Sequence, residues 1–460
     1  MSTAKTLLAA VALMASLSTP AADLIEVWRA ASQNDPEAAR AVALSAQAEP
    51  RREQARALWR PGVEVMGSAG LMSATSAMNG AAFAAPGFGH STGVSFGTSV
   101  EGGRAGQWSL GLRQPLISGE RRARSVQLEQ GAEAAELEAR LTRQNLMLHT
   151  SQRYFDAVLA ARRLSLLQRQ LQAVQRMLAE ARDRFRLGDA PVTDIHEAEA
   201  RAQGLQAQTL EADNTWQVAL AALRESSGLA GLQLPLAEPS AARLPTPPAP
   251  LEQIHEQALS GHPGLALLQA RVAMAEAEVR SLDASASASL DLVAQASRQH
   301  LVGSGDQGAA SNDARQQMIG LQLRVPLYTG GWRDARQQEA LRGVEQARAE
   351  LDQARLQISQ QSRSAWLNLS NAPGRVAALQ ASLKAAQARL AATRLGRSVG
   401  DRTTLDLLNA ENDQVAAELG LMQGRIDVLQ QGLVLDALMG RLDEGSLARV
   451  NARLALNPDL

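Results

Sequence analysis

Two Gly-Asp doublets carry the most suggestive charge pattern in the sequence. Gly188-Asp189 and Gly400-Asp401 stand 212 residues apart, and each precedes a further aspartate by five residues, Asp194 and Asp406. The second doublet lies in "SVGDRTTLDLL", Ser398 to Leu408, where it interrupts a helical pattern that Thr403, Thr404 and Asp406 restart. A first-turn acid beside threonines complements the helix dipole and can complete a cap. Arg402 has the i, i+4 spacing for an intrahelical pair with Asp406, worth only about 0.3 kcal/mol. Gly188 and Gly400 suit turns that need a positive φ. These residues place charge at turns; they do not resemble a bond-making apparatus.

The rest of the sequence agrees. All 46 basic residues are arginine except Lys5 and Lys384, and neither lysine follows a glycine, so no phosphate-cradling P-loop is present. A lysine Schiff base has no candidate in the mature part of the chain beyond Lys384. The six histidines show no metal spacing, no Gly-x-Ser-x-Gly occurs, and no cofactor is implied. With a net charge of −1, nothing points to nucleic acid. There are no cysteines, which rules out disulfides, thiolate metal sites and a lipid-modified N-terminal Cys. Residues 1–22 combine Lys5, an apolar run from Leu7 to Leu17 and small residues, the pattern of a secretory signal peptide; a buried first helix is the alternative.

The elements that must position the doublets are written twice. "LRQPLISG" at Leu112–Gly119 recurs as "LRVPLYTG" at Leu323–Gly330, and beyond one extra glycine a shift of 212 residues holds without gaps. It pairs Tyr154 with Trp366, Asp194 with Asp406 and Gly228 with Gly440. Repeat 1 covers 23–233 and repeat 2 covers 252–441, joined by a Pro-rich linker at 234–251 and followed by a tail at 442–460. In each repeat a helix leads to two strands around a polar loop, expected at 62–71 and 107–117, then at 288–298 and 317–328. Ile319, Leu321, Leu323 and Val325 alternate with polar partners, as a barrel wall needs and as a half-buried soluble strand equally would. Long helices at 120–187 and 332–396 follow, with return helices at 193–227 and 404–439. Heptad seams such as Leu164, Leu167, Leu171, Val174 and Leu178 make each pair an antiparallel hairpin. Helix continues through Pro373-Gly374 in register, so a kink is expected there instead of a loop.

Four strands are too few to close a barrel, so the strands call for pooling between copies. The duplicated plan, the "QPLISG" and "VPLYTGG" strand ends, "RFRLGDAPVTDIHEAEA" and "SVGDRTTLDLLNAEN" resemble the TolC-type outer-membrane channel family over essentially the whole mature chain. The resemblance implies a mainly α fold with a small β part. It implies a homotrimer whose 12-stranded transmembrane β-barrel, four strands per chain, sits in outer-membrane lipid and continues into a coiled-coil α-helical periplasmic tunnel. A periplasmic adaptor (membrane fusion) protein and an inner-membrane ABC or proton-driven transporter would be its partners, for type I protein secretion or, alternatively, multidrug or small-molecule efflux. Asp406 matches a tunnel-constriction carboxylate and Asn409 replaces a second one, which halves the ring charge. Arg402 matches a latch arginine directed at Thr193 and Asp194, while Arg397 stands where the family has a tyrosine. The tips at Gly188, Asp189, Gly400 and Asp401 would receive the adaptor. A periplasmic coiled-coil structural or adaptor protein is the reading of another class, and an enzyme is the remotest.

Overall fold

The computed structural model describes residues 22–455, apart from 88, 189–190, 235–237, 240–243 and 306–307. The signal-like N-terminus and Asp189 therefore lie outside the described residues, as do parts of the linker and of the tail. The chain divides into two compact units, one formed by 48–133 with 270–347 and the other by the remaining segments.

The first of these units is built on one four-stranded antiparallel sheet in the order β1-β2-β4-β5. Its strands are β1 (Gly62–Ala85), β2 (Gly89–Ile117), β4 (Ser289–Gly305) and β5 (Gly308–Arg324). The strands form longer hairpins than the sequence suggests, because the Gly/Ser/Ala-rich segments at 72–85, 89–106, 301–305 and 308–315 pair as strand instead of looping. Turn-type composition misleads there: the backbone groups of small residues satisfy one another across the ladder, and bulges at 72/74, 78/81 and 81/83 absorb the irregularity. At its other end β5 stops at Arg324, short of the expected 328. Pro326 has no N–H to give to a ladder.

Register decides the faces, since residues paired across strands project to the same side. Val63, Leu112, Ala294 and Ile319 fall on one face, and so do Val65, Leu110, Ala296 and Gln317. Glu64, Gly111, Gln295 and Met318 share the other, with Gln107, Gln299 and Ala314 farther along. The apolar face is not covered within the chain: Val65 is 72% exposed and Ile319 76%. No helix among the described residues is long and apolar enough to cross a membrane. The same unit also contains α3 (Ala48–Ala57), residues 270–284 of α7 (Pro263–Ala284) and the starts of two long helices.

The second unit is helical. Its hairpins are α4 (Gly119–Arg186) with α5 (Val192–Ser227), and α8 (Trp332–Ser398) with α9 (Thr404–Leu438). The long helices run 68 and 67 residues, and α8 continues unbroken through Pro373. Leu164, Leu167, Val174, Leu205, Leu390 and Leu408 form one buried cluster, so the heptad seams are the packed stripes. A second cluster packs Trp28 of α1 (Leu24–Asn34) with Tyr154, Phe155, Ile426 and Leu429; the Tyr154 and Phe155 rings meet edge to face at 5.7 Å. α1 starts from a capping box of Asp23 and Glu26, and Asn451 of α10 (Glu444–Asn451) donates to the Asp23 carboxylate at 2.8 Å. Helices α2 (Pro36–Ala46) and α6 (Leu251–Gly261) complete the set. A two-residue ladder joins linker strand β3 (Glu238–Pro239) to tail strand β6 (Leu454–Ala455).

Candidate functional site: the hairpin tips

The turn at the end of α8 follows from glycine. Gly400 has φ +84°, its N–H donates to Arg397 O at 3.1 Å, and Asp401 N–H donates to Gly396 O at 2.8 Å. That pair of bonds closes the helix end and needs a left-handed residue at the glycine. Gly188 has φ +79° at the equivalent place in the first hairpin.

α9 then begins on Thr403. Its hydroxyl accepts from Asp406 N–H at 3.1 Å, while the Asp406 carboxylate accepts from Thr403 N–H at 3.1 Å and from the Thr403 hydroxyl at 3.0 Å. The reciprocal cap satisfies donors that a helix start leaves open. The hydrogen bond from the Thr403 backbone, with that from its hydroxyl, holds the Asp406 carboxyl below its ordinary range, and the nearby Arg402 and Arg389 charges act the same way. Asp406 is thus a carboxylate at neutral pH. Asn409 is exposed one turn on.

The first hairpin lacks this cap. α5 starts after Pro191, which has no side-chain oxygen to offer, so Asp194, the counterpart of Asp406, is not drawn into a capping box. Asp194 instead accepts from the Thr404 hydroxyl at 2.9 Å, which ties α5 to α9. Arg402 makes no hydrogen bond or ion pair with Thr193 or Asp194 among the described residues; its aliphatic stem lies over Gly396. Within the chain, the donor to Asp194 is therefore Thr404 and not Arg402.

Other ties between the hairpins were not legible in advance. Arg397 bridges to Glu180 of α4 at 3.3 Å, with the Arg397 side chain only 14% exposed, so the residue standing in place of a tyrosine forms a link of its own. Arg201 of α5 donates to Asn412 of α9. Farther from the tips, Arg162 of α4 meets Glu418 of α9 at 2.8 Å, and the Arg162 side chain is 9% exposed. Within the second hairpin, Arg394 pairs with the buried Glu411 at 3.2 Å and Arg389 with Asp413 at 2.6 Å. A hydroxyl, an amide and three carboxylates thus link the two hairpins. No cluster of three or more metal-binding side chains occurs among the described residues.

The family model for outer membrane efflux proteins matches residues 27–229 and 254–441. The chain belongs to the outer membrane efflux protein family. Both matched segments end just past a hairpin and leave out the linker, as a duplicated chain requires. The outer membrane efflux protein BepC of Brucella suis is 31% identical over 66% of this chain and 65% of its own length. The proteases secretion protein PrtF of Dickeya chrysanthemi is 32% identical over 75% of this chain and 74% of its own. Outer membrane protein TolC of Escherichia coli is 28% identical over 75% and 72%. Among solved structures, the outer membrane protein VceC of Vibrio cholerae superposes with a TM-score of 0.71 at 18% identity, covering 91% of this chain and 96% of that one. The Campylobacter jejuni CmeC outer membrane channel gives 0.71 at 15% identity, over 94% and 90%. The fold is that of these channels, mainly helical with a small sheet, and family membership places the chain in the outer membrane and makes it a channel component, not an enzyme.

Proposed function

We propose that three copies of this chain form the outer-membrane exit duct of a tripartite export system whose cargo is a protein, with a periplasmic adaptor and an inner-membrane ABC transporter as partners. The observation that carries the reading is the sheet itself. It has one uncovered apolar face and two edges, β1 and β5, that pair on one side only within the chain. Open edges are not tolerated in hydrocarbon, so such a sheet belongs in a closed barrel shared between copies. Protein cargo is supported by the likeness to PrtF, named for protease secretion. The likeness to BepC, named for efflux, favours a second reading, the outer-membrane component of a small-molecule efflux system. Inactivating the gene separates them. Loss of one secreted protein from the culture medium with unchanged drug susceptibility supports secretion; sensitisation to several drugs with intact secretion overturns it.

In this reading Asp406 and Asn409 line the constriction, and the tips at Gly188, Asp189, Gly400 and Asp401 receive the adaptor. Arg402, unpaired with Thr193 and Asp194 inside its own chain, reaches those residues on the neighbouring copy, while Thr404 holds Asp194 within the chain. Three Asp406 carboxylates around an axis favour cations. Because the folded pKa is lowered, the charge is present above the ordinary carboxylate range and is lost only as pH falls through the lowered value. Cation preference at neutral pH is expected to fall sharply in Asp406→Asn. Reversal potentials under a salt gradient check this, and an unchanged preference in Asp406→Asn would remove Asp406 from the constriction.

A further inference from the structure

The face of the sheet that carries the apolar stripe changes character toward its far end. Two ladder rows define it: Gly67, Trp108, Arg298 and Arg315 in one, and Ala69, Gly106, His300 and Asp313 in the next. Arg104 follows in the row beyond, opposite Val302. With no side chain at Gly67 or Gly106 and only a methyl at Ala69, the sheet surface sinks into a hollow of about 650 Å³ walled by Trp108, Arg298 and His300. All three wall residues are accessible, with Trp108 48% exposed and the Arg298 and His300 side chains 43% and 57%.

The charge in this region is unbalanced toward positive around the hollow. Asp313 accepts from Arg298 Nε at 3.1 and 3.2 Å and lies 3.7 Å from Arg315 and 3.8 Å from His300, so one carboxylate serves two guanidinium groups and an imidazole. Arg104 adds a third guanidinium, and Glu101 sits one row farther out, opposite Ser304. Charged groups on the outer face of a barrel are costly at mid-bilayer and nearly free at its border. Tryptophan prefers the same border. All four strands join their helices at the opposite end of the sheet, through Gly62, Ile117, Ser289 and Arg324.

We propose that this hollow binds the phosphorylated sugar headgroup of an outer-leaflet glycolipid of the lipopolysaccharide type. The proposal rests on the channel reading, which puts the apolar face against lipid and the helices in the periplasm. Backbone flooring gives a flat sugar ring close approach, and Trp108 offers an apolar face with a polar edge; Asp313 takes Nε and Nη2 of Arg298, so the donors aimed at phosphate oxygens are Arg298 Nη1 and the Arg104 guanidinium. A phosphodiester lipid without sugars would use the charge but leave the hollow unfilled.

The test uses the full-length protein purified in detergent, with deep-rough lipopolysaccharide and the same lipid stripped of its phosphates as probes. Bound lipid is measured by native mass spectrometry, alongside oligomeric state and recovery from the outer-membrane fraction. The paired substitution Arg104→Gln with Arg298→Gln is expected to weaken binding about 25-fold, from roughly fivefold per arginine, and the phosphate-free lipid to bind the native protein at least tenfold more weakly. Gly106→Val supplies a variant that leaves every charge in place. A Cβ at Gly106 meets no atom within 4 Å, so valine fits the strand and fills only the hollow. It too is expected to reduce binding at least tenfold. Undiminished binding by either variant, or equal binding of the phosphate-free lipid, overturns the site while the channel reading stands; a native protein absent from the outer-membrane fraction overturns the channel reading instead.

Discussion

Replacing Gly440 with alanine destabilises the protein by about 4 kcal/mol, while the same change at Gly188 costs about 1 kcal/mol. Both glycines have positive φ, +68° and +79°, so both lose a conformation that L side chains rarely adopt. The difference lies in what surrounds them. A Cβ at Gly440 would stand 2.0 Å from the carbonyl oxygen of Gly261, which is backbone and has no rotamer to change. A Cβ at Gly188 meets nothing within 4 Å. The close approach seats the end of α9, closed by Gly440 N–H on Ala437 O at 2.9 Å and Arg441 N–H on Asp436 O at 2.8 Å, against the end of α6. Denaturant unfolding of the detergent-solubilised protein measures both variants, and equal losses would mean that the Gly261 contact is not maintained.

Arg162→Met is the second large effect, expected at about 3 kcal/mol because it leaves Glu418 without its partner in a mostly dry place between α4 and α9. The figure sits at the low end for broken buried pairs, since the Glu418 side chain keeps 25% exposure and Arg169 lies within 3.9 Å of it. Adding Glu418→Leu to Arg162→Met is expected to recover most of the loss, as apolar replacements of both members of a buried pair usually do. A double variant as unstable as the single one would show that the arginine acts by packing its stem and not through the ion pair. Because this bridge joins one hairpin to the other, the single variant also loosens the assembly that the tip bonds close.

Much of this arrangement could be read from the residues. The 212-residue repeat located both turns, and Gly188 and Gly400 take the positive φ that a turn after a long helix demands. Heptad spacing named the packed stripe, with Leu164, Val174 and Leu390 buried in it. Strand extent was less legible. Between 72 and 106, glycine and serine are turn formers and alanine a poor strand former by local preference, yet an antiparallel partner gives their backbone groups a better use. The Thr404–Asp194 bond shows why contacts escape periodicity. Asp194 could be singled out, but its donor depends on which hydroxyl of the Thr403-Thr404 pair the cap consumes. Thr403 caps α9, and Thr404 is left to cross to α5. Arg397 with Glu180 and Arg162 with Glu418 join residues more than two hundred positions apart, and no spacing rule connects them.

In the proposed channel the two hairpins close a cation-preferring passage through bonds that can be released, with Asp194 at the joint. Single-channel recording in planar bilayers, comparing the native protein with Asp194→Ala, tests it most directly. A small, cation-preferring conductance is expected for the native protein and a severalfold larger one for Asp194→Ala, since the substitution removes the acceptor that Thr404 holds within the chain and that Arg402 would reach from the next copy. A native protein that forms no conducting pore, or an Asp194→Ala conductance equal to the native one, would contradict it.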